Sequence, residues 1–388
     1  MNRKATLLLS LLLASSLLLA ACAPAATATP TTAPTQPAAE TPTSPAAETP
    51  TTAAETPTTA ATSAGTPAAN VKVCQVTDTG GIDDKSFNAT AWKGVQDAID
   101  KLGIQGKYLE SKQETDYEKN INAFLDEKCS EIITVGFLLA DATKAAAQAN
   151  PNVDFAIVDN AYPQTISNIE ALVFNTDDAG ILAGYLAAGM TKTGKVGTFG
   201  GLQIPTVTIF MDGFSNGVAY YNQKHNTSVQ VLGWDVSKQT GLFAGNFDSL
   251  DDGRRLAQTL MSEGADIIMP VAGPVGLGAA AAIKEAANGT LVIGVDTDWF
   301  VSAPDYADIE LTSVMKKMDV AVYNSIESVI NGTYKGGNVI GSLENGGVDI
   351  APFHNLDSKV PTALKTELDQ VRADIIAGKL PKSAARFQ

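Results

Sequence analysis

Histidine and cysteine are scarce in this chain of 388 residues, which has two histidines and three cysteines. His225 and His354 lie far apart in the sequence, and neither has a cysteine or another histidine nearby. This pattern argues against a zinc site and against a Ser-His-Asp triad, because both depend on histidine or paired cysteines. We therefore expect no metal, no cofactor and no enzymatic activity.

Large apolar residues and aromatics are missing from the long segment that follows the N-terminal apolar run. Residues 22–70 consist mainly of Ala, Thr, Pro, Ser and Glu, and the unit "AAETPT" recurs at 38–43, 46–51 and 53–58. Such a composition cannot bury enough apolar surface to fold. We expect a disordered tether over 22–70.

The first residues have the features of a secretory signal peptide. "MNRK" is basic, the apolar run "ATLLLSLLLASSLLLA" follows, and the run ends in "LAAC" with Cys22 last. This ending resembles the lipobox of bacterial lipoproteins, so we expect a signal peptide over 1–21 and a lipid on Cys22. The alternative is an uncleaved anchor helix. In the first case the membrane is reached through the lipid anchor only, on its extracytoplasmic face.

Basic residues are outnumbered by acidic ones. Removing residues 1–21 takes away Arg3 and Lys4, so Lys plus Arg falls from 27 to 25 against 42 acids, and the net charge becomes −17. A body this acidic is a poor match for nucleic-acid phosphates or anionic lipids. We expect no nucleic-acid partner.

The two remaining cysteines, Cys74 and Cys129, are not arranged as a CxxC pair. They are either two small buried side chains or a disulfide, which a location outside the cytoplasm would permit. Sequence spacing alone does not decide between these alternatives.

Short apolar runs alternate with helical patterns from about residue 71 onward, which predicts α/β architecture with parallel sheets. Ligands of such sheets bind beyond the carboxyl ends of the strands, where Asp78, Asp159, Gly273 and Asp296 fall. The glycines of "GPVGLGAA" have the spacing GxxGxG, which does not fit a dinucleotide site.

An ordered set of motifs resembles the basic membrane protein family, which are substrate-binding lipoproteins of ABC transporters. The motifs are "TDTGGIDDKSFNATAWKG", "DDAGILAGYLAAGM", "KVGTFGGLQIPTVTIFMDGFSNGV", "GADIIMPVAG", "VIGVDTD" and "LTSVMKKMDVAV". The resemblance implies a type I periplasmic-binding-protein fold, with two doubly wound parallel-sheet lobes joined by three crossings. Lobe one would comprise 71–176 and 314–334, and lobe two 177–313 and 335–388.

The resemblance also implies a function. Well-known members bind purine nucleosides, so we expect a monomeric protein that captures a purine nucleoside between its lobes and delivers it to an ABC permease and ATPase complex. A sugar or a signalling molecule bound in the same fold is the main alternative, and a Rossmann-like enzyme is a weaker one.

The resemblance implies which residues would contact the base. Phe87 and Phe210 would stack on its two faces, and Asn88 and Asp159 would read its edge. Ser86 is well placed as an N-cap for the helix that follows. Without the resemblance, Phe87 is equally well explained as a hydrophobic staple and Asn88 as a second capping residue.

Further residues would hold the ribose. Asp78, Asp296 and Lys316 resemble contacts to the ribose hydroxyl groups, with the Gly273 backbone close by. The remaining expectation concerns the aromatic wall, which three other aromatics near probable cleft loops could supply in place of Phe210: Trp234, Phe247 and Trp299.

Overall fold

The computed structural model describes residues 68–387, and the expected signal peptide, Cys22 and most of the tether lie outside this range. Its strands, in chain order, are β1 (Lys72–Thr77), β2 (Gln105–Leu109), β3 (Glu131–Val135), β4 (Asp154–Val158), β5 (Ile169–Phe174), β6 (Lys195–Gly200), β7 (Gln230–Leu232), β8 (Trp234–Asp235), β9 (Thr240–Gly241), β10 (Ile267–Val271), β11 (Leu291–Asp296), β12 (Glu310–Lys316), β13 (Gly337–Gly341) and β14 (Val348–Ile350).

The helices alternate with these strands. They are α1 (Phe87–Leu102), α2 (Tyr117–Asp126), α3 (Ala140–Ala149), α4 (Thr176–Met190), α5 (Pro205–His225), α6 (Leu250–Ser262), α7 (Pro274–Ala286), α8 (Trp299–Ser302), α9 (Met318–Ile330) and α10 (Thr362–Ile376). Within residues 68–387, no helix has the length and apolar character needed to span a bilayer.

Two six-stranded sheets organise the molecule. The first has the order β13-β5-β4-β3-β1-β2 and is parallel throughout, and the second has the order β14-β12-β11-β10-β6-β7. In the second sheet only β14 runs antiparallel to its neighbour. Central strands such as β3 and β10 are buried along their whole length, as expected for parallel sheets covered by helices on both faces. The expectation of two doubly wound lobes is confirmed.

The chain crosses between the sheets three times, but not where the sequence placed the second and third crossings. β12 belongs to the second sheet, so the return to the first lobe begins at Lys317 rather than at residue 314. β13 then pairs with β5 in the first sheet, although residues 335–388 were assigned to lobe two. The third crossing therefore follows Gly341. β13 is short and begins and ends with glycine, which leaves little apolar pattern to predict from.

The tether boundary is also shifted. Residues 68–70 were assigned to the tether, but they form a 3-10 turn, and Ala68 packs against the main hydrophobic core. The folded body therefore includes these residues.

Cys74 and Cys129 form a disulfide, which decides between the two alternatives that the sequence left open. Their Cα atoms are 6.1 Å apart. The bond joins β1 to the loop that precedes the neighbouring strand β3, and both cysteines are buried.

Helices α4 and α5 pack with unusually close backbones, which fixes the start of α5 in lobe two. A methyl group at Gly184 would lie 2.0 Å from the carbonyl oxygen of Phe214, and one at Gly217 would lie 2.1 Å from that of Ile181. Only glycine fits at these two positions. The α4–α5 pair therefore forms a firm support for Phe210 in the second turn of α5.

Candidate functional site

A cleft lies at the carboxyl ends of the parallel strands of both sheets. The space between the protein atoms there is about 590 Å³, part of which is open to solvent. Both lobes line it: the ends of β1, β3 and β4 contribute from the first sheet, and those of β10, β11 and β12 from the second.

Most of the side chains predicted from the sequence meet in this cleft. The lining residues among them are Asp78, Phe87, Asn88, Asp159, Phe210, Phe247, Gly273, Asp296 and Lys316. Ser86 is buried at its edge and hydrogen-bonds to one of them.

Lys316, at the end of β12, lies at the centre of this arrangement with 2% of its side chain exposed. Its Nζ is 2.6 Å from Oδ2 of Asp159 in lobe one and 3.9 Å from Oδ1 of Asp296 in lobe two. One buried cation therefore faces a carboxylate from each lobe. The expectation that assigned Lys316 to lobe one was wrong, because β12 is part of the second sheet.

Asp159 and Asp296 occupy equivalent places in the two sheets and share an unusual backbone. β4 and β11 are each third from one edge of their sheets, and each is followed or ended by its aspartate. Asp159 has φ 69° and Asp296 has φ 70°, a left-handed conformation that costs a non-glycine residue roughly 1–3 kcal/mol. Such strain is found preferentially at functional sites.

Burial raises the pKa of both carboxyl groups, against the lowering effect of the nearby Lys316 ammonium. Desolvation therefore outweighs the single cation that Asp159 and Asp296 share. Asp159 and Asp296 therefore have less nearby positive charge than would be needed to keep their pKa values at the ordinary level.

Aromatic rings from both lobes surround the same ammonium. Lys316 Nζ is 4.7 Å from the ring centroid of Phe87 in lobe one and 5.7 Å from that of Phe210 in lobe two. Phe174, at the end of β5, is a third ring at 5.5 Å. Sequence reasoning missed Phe174, although its place as the last residue of a strand in an α/β sheet was a usable signal.

Asp78 and Asn88 form a second polar group in lobe one. Asn88 Nδ2 donates to Asp78 Oδ1 over 2.7 Å, and the amide of Gly80 donates to the same oxygen over 3.2 Å. Burial raises the pKa of Asp78 to about 6 despite these hydrogen bonds. Gly136, with φ 124°, makes room for this carboxylate, since a methyl group there would lie 2.8 Å from its Oδ2. Among the described residues, Asn88 Oδ1 has no hydrogen-bond partner.

Ser86 holds the N-cap position of α1 but does not cap it. Its hydroxyl donates to Asp296 Oδ2 over 2.8 Å, across the cleft, instead of accepting from a helix amide. Asp84 accepts those amides, and it too lines the cleft. The cap expected of Ser86 was therefore wrong, and Asp84 was overlooked because it resembled its neighbour Asp83 as an ordinary loop charge.

Of the three alternative aromatics, only Phe247 lines the cleft. Trp299 is fully buried in the core of lobe two, where its Nε1 donates to the Val295 carbonyl over 3.1 Å. Trp234 is buried as well, and its Nε1 donates to Asp212 over 3.0 Å. Each indole has its polar atom satisfied inside the protein, so neither supplies a cleft wall.

The charge of the cleft limits what fits there. Within the described part of the chain, the ionisable side chains that line it are one lysine and four aspartates: Lys316, Asp78, Asp84, Asp159 and Asp296. Carboxylates accept hydrogen bonds, so this lining suits a ligand rich in N–H or O–H donors. No group of three or more His, Cys, Asp or Glu side chains in residues 68–387 is arranged to hold a metal ion.

Comparison with known proteins agrees with this geometry. A family model described as ABC transporter substrate-binding protein PnrA-like matches residues 71–381. The ABC transporter nucleoside-binding protein BmpA of Lactococcus lactis is 30% identical over 328 residues, covering 80% of this chain and 88% of the relative. Basic membrane protein A of Borreliella burgdorferi is 30% identical over 309 residues, covering 79% and 85%.

A solved ABC transporter solute-binding protein from Aeropyrum pernix has a TM-score of 0.71 at 25% identity, over 80% of this chain and 92% of the other. The expected type I periplasmic-binding fold is thereby confirmed. Proteins of this kind bind a small solute for an ABC transporter complex and are not enzymes. The family match over nearly all of the described residues leads to one conclusion: the chain belongs to the PnrA-like family of ABC transporter substrate-binding proteins.

Proposed function

We propose that the protein captures a purine nucleoside in the inter-lobe cleft and delivers it to the permease of an ABC transporter. The observation that carries the proposal is the convergence of Phe87 and Phe210, from opposite lobes, on the single ammonium of Lys316. The printed name of one relative, a nucleoside-binding protein, supports the same solute class.

Two aromatic rings from opposite lobes suit a purine, which has two apolar faces and a polar edge. A base stacked on an aromatic side chain gains about 1–3 kcal/mol in nucleic-acid systems. Asn88 Oδ1, which has no hydrogen-bond partner among the described residues, and the Asp159 carboxylate would accept hydrogen bonds from N–H groups at the polar edge of the base. Because the rings belong to different lobes, each gains its full contact only when the cleft closes on the ligand.

The ribose would lie toward Asp78, Asp296 and Lys316, with the Gly273 backbone beside it. A carboxylate can accept hydrogen bonds from two hydroxyl groups, which matches the vicinal diol of a ribose. The diol would bring further donors to Asp296, whose Oδ2 already accepts a hydrogen bond from Ser86 Oγ.

The transporter role fits a monomer held outside the cytoplasm by a lipid on Cys22. The Cys74–Cys129 disulfide supports an oxidising compartment. Replacing Cys22 by Ser should move the protein from the membrane fraction to the soluble fraction, as followed by fractionation and immunoblotting. Unchanged membrane retention of the variant would mean that an uncleaved helix anchors the chain.

The solute class is tested by a thermal-shift screen of nucleosides, free bases, ribose and hexoses, followed by calorimetry. A ligand at a hundred times its dissociation constant adds about 2.7 kcal/mol of stability. We expect purine nucleosides to give the largest shifts. Binding of ribose or hexoses without binding of any purine nucleoside would replace the proposal by a sugar receptor.

A further inference from the structure

Asp84 is a buried carboxylate just before α1, with 4% of its surface exposed. Both of its oxygens accept backbone amides: Oδ1 from Ser86 and Ala89, each over 3.0 Å, and Oδ2 from Asn88 over 2.7 Å. An ordinary N-cap side chain satisfies one of the free amides of the first turn. Asp84 satisfies more of them from a position outside the helix.

Because Asp84 accepts these amides, the Ser86 hydroxyl does not accept a hydrogen bond from the first turn of α1. The hydroxyl therefore reaches across the cleft to Asp296 Oδ2 over 2.8 Å, and it lies 3.3 Å from the Val295 carbonyl oxygen. Phe87 and Asn88, the next two residues, both line the cleft. Ser86, Phe87 and Asn88 are therefore three consecutive residues whose side chains face lobe two or the ligand space. Asp84 fixes the backbone of this segment through its hydrogen bonds to the amides.

We propose that Asp84 is the positioning residue of the cleft: it caps α1 in place of Ser86, so that Ser86 bridges to lobe two while Phe87 and Asn88 face the ligand. The assignment rests on the proposed function in that a solute binds in this cleft. Its oxygens are occupied by amides, so Asp84 acts through the residues it holds and not by taking up the solute.

Neighbouring Asp83 provides a matched control. It is exposed, it has the same side chain, and no hydrogen bond to it occurs among the described residues. Asp83→Asn makes the same change of side chain one residue away from Asp84→Asn, without touching the capping contacts. Asp84→Glu keeps the charge but moves the carboxylate by one methylene.

The first measurement needs no ligand. Hydrogen–deuterium exchange of the unliganded protein should become faster over residues 86–91 in Asp84→Asn and Asp84→Glu, and should stay at the wild-type rate in Asp83→Asn. Unchanged exchange in the Asp84 variants would overturn the proposal, whatever the solute proves to be. Failure of both Asp84 variants to fold would overturn it too, because Asp84 would then serve the fold and not the cleft.

The second measurement is calorimetry with inosine, adenosine and guanosine. Asn has one acceptor oxygen where Asp84 has two, so at least one buried amide would lose its partner. We therefore expect about ten- to a hundredfold weaker binding for Asp84→Asn, and wild-type affinity for Asp83→Asn. In a double-mutant cycle, Asp84→Asn and Ser86→Ala should be less than additive, since Asp84 acts partly through Ser86. Additive losses or an unchanged affinity of Asp84→Asn would contradict the assignment. If wild type itself binds no nucleoside, the proposed function is wrong. The hydrogen–deuterium exchange experiment still tests the role of Asp84 in that case, because it needs no ligand.

Discussion

Two buried groups of carboxylates in this protein are treated in opposite ways. In the cleft, Asp159 and Asp296 share Lys316 as their one cation. At the start of α4, Asp177 and Asp178 are also buried, but they have cations and amides of their own.

The α4 group is closed by the segment that follows α10. Arg386 Nη1 lies 2.7 Å from both Asp177 and Asp178, and Lys382 Nζ lies 2.6 Å from Asp178. The amide of Ser383 donates to Asp177 over 3.0 Å. Burial of Asp178 is outweighed by the hydrogen bonds from Arg386 and Lys382, which lower its pKa. Burial still raises the pKa of Asp177, against the lowering effect of Arg386, so the contrast with the cleft holds for Asp178.

The α4 group also sits at the crossings between the lobes. Asn175 is the residue before α4. Its backbone amide donates to the carbonyl oxygen of Gly341, at the third crossing, over 2.8 Å, and its Oδ1 accepts from the backbone amide of Phe387 over 3.0 Å. The ion pairs among Asp177, Asp178, Lys382 and Arg386, here called the hinge group, join the segments at these crossings. The cleft charges are incomplete, so donors from a solute have a place to bind.

Removing a hinge cation should give the largest effect on stability. Arg386→Met leaves Asp177 and Asp178 with Lys382 alone, and breaking a buried ion pair from one side costs about 3–5 kcal/mol. We expect a loss of this order in the free energy of unfolding measured with urea. Lys238→Met, which breaks the exposed ion pair with Asp235, is the control and should cost far less. Equal losses in both variants would show that the hinge group is no stronger than a surface pair.

Removing a cleft ring should affect binding more than stability. Phe87→Ala deletes one stacking face, worth about 1–3 kcal/mol, so calorimetry should give roughly five- to a hundredfold weaker nucleoside binding. The urea midpoint should change little, because Phe87 is only partly buried. Tyr108→Ala, an exposed aromatic of the same lobe, should leave the affinity unchanged. Wild-type affinity in Phe87→Ala would make Phe87 a hydrophobic staple and direct attention to Phe174 or Phe247.

The cleft residues that lie at the ends of strands could be predicted from the sequence. Asp78, Asp159, Gly273 and Asp296 end up together because parallel strands bring their carboxyl ends to one edge. That rule does not say which way a side chain turns after the strand. Trp299 follows such a strand but turns into the core.

Contacts with two glycines explain the inward turn of Trp299. Its ring packs against Gly294 and Gly276, where an added methyl group would lie 2.5 and 3.1 Å from ring atoms. Asp84 escaped prediction for a related reason, because its burial and its hydrogen bonds to backbone amides, which distinguish it from Asp83, arise only in the folded protein. Tertiary packing determines both the orientation of Trp299 and the burial of Asp84, and it cannot be read from a local sequence pattern.

Neutralising one cleft carboxylate should separate the sugar from the base. Asp296→Asn keeps the size of the side chain but removes the charge that would accept the ribose hydroxyls. We expect about tenfold weaker binding of every purine nucleoside, from roughly 1.5 kcal/mol, and nearly unchanged binding of free bases. Asp308→Asn, at an exposed partner of Lys284, is the control. Equal losses for nucleosides and bases would place Asp296 at the base or assign it to closure alone.

A third buried acid extends the comparison to a site without any cation. Glu131 on β3 is fully buried, and its only hydrogen bond among the described residues is from Ser325 Oγ, at 2.6 Å. Burial, with the nearby charges of Glu170 and Asp154, raises its pKa to about 8. Here the protein keeps a carboxyl group neutral by holding its proton.

The pH dependence of stability should reveal this proton. The folded-state pKa of Glu131 lies above the ordinary value of 4.5, so its contribution is complete below pH 4.5 and is lost as the pH rises through about 8. Wild type should therefore lose stability from about pH 4.5 to about pH 8, by at most about 1.4 kcal/mol per pH unit from this group. Glu131→Gln, which resembles the protonated acid, should match wild type near pH 4.5 and exceed it by a growing margin up to about pH 8 in urea unfolding. Glu127→Gln removes an exposed acid whose pKa is lowered by Lys107 and Lys72, and it should leave the slope between pH 6 and 8 unchanged. An equally steep loss in Glu131→Gln would mean that Glu131 is ionised in the folded protein, and that burial without a cation does not keep it neutral.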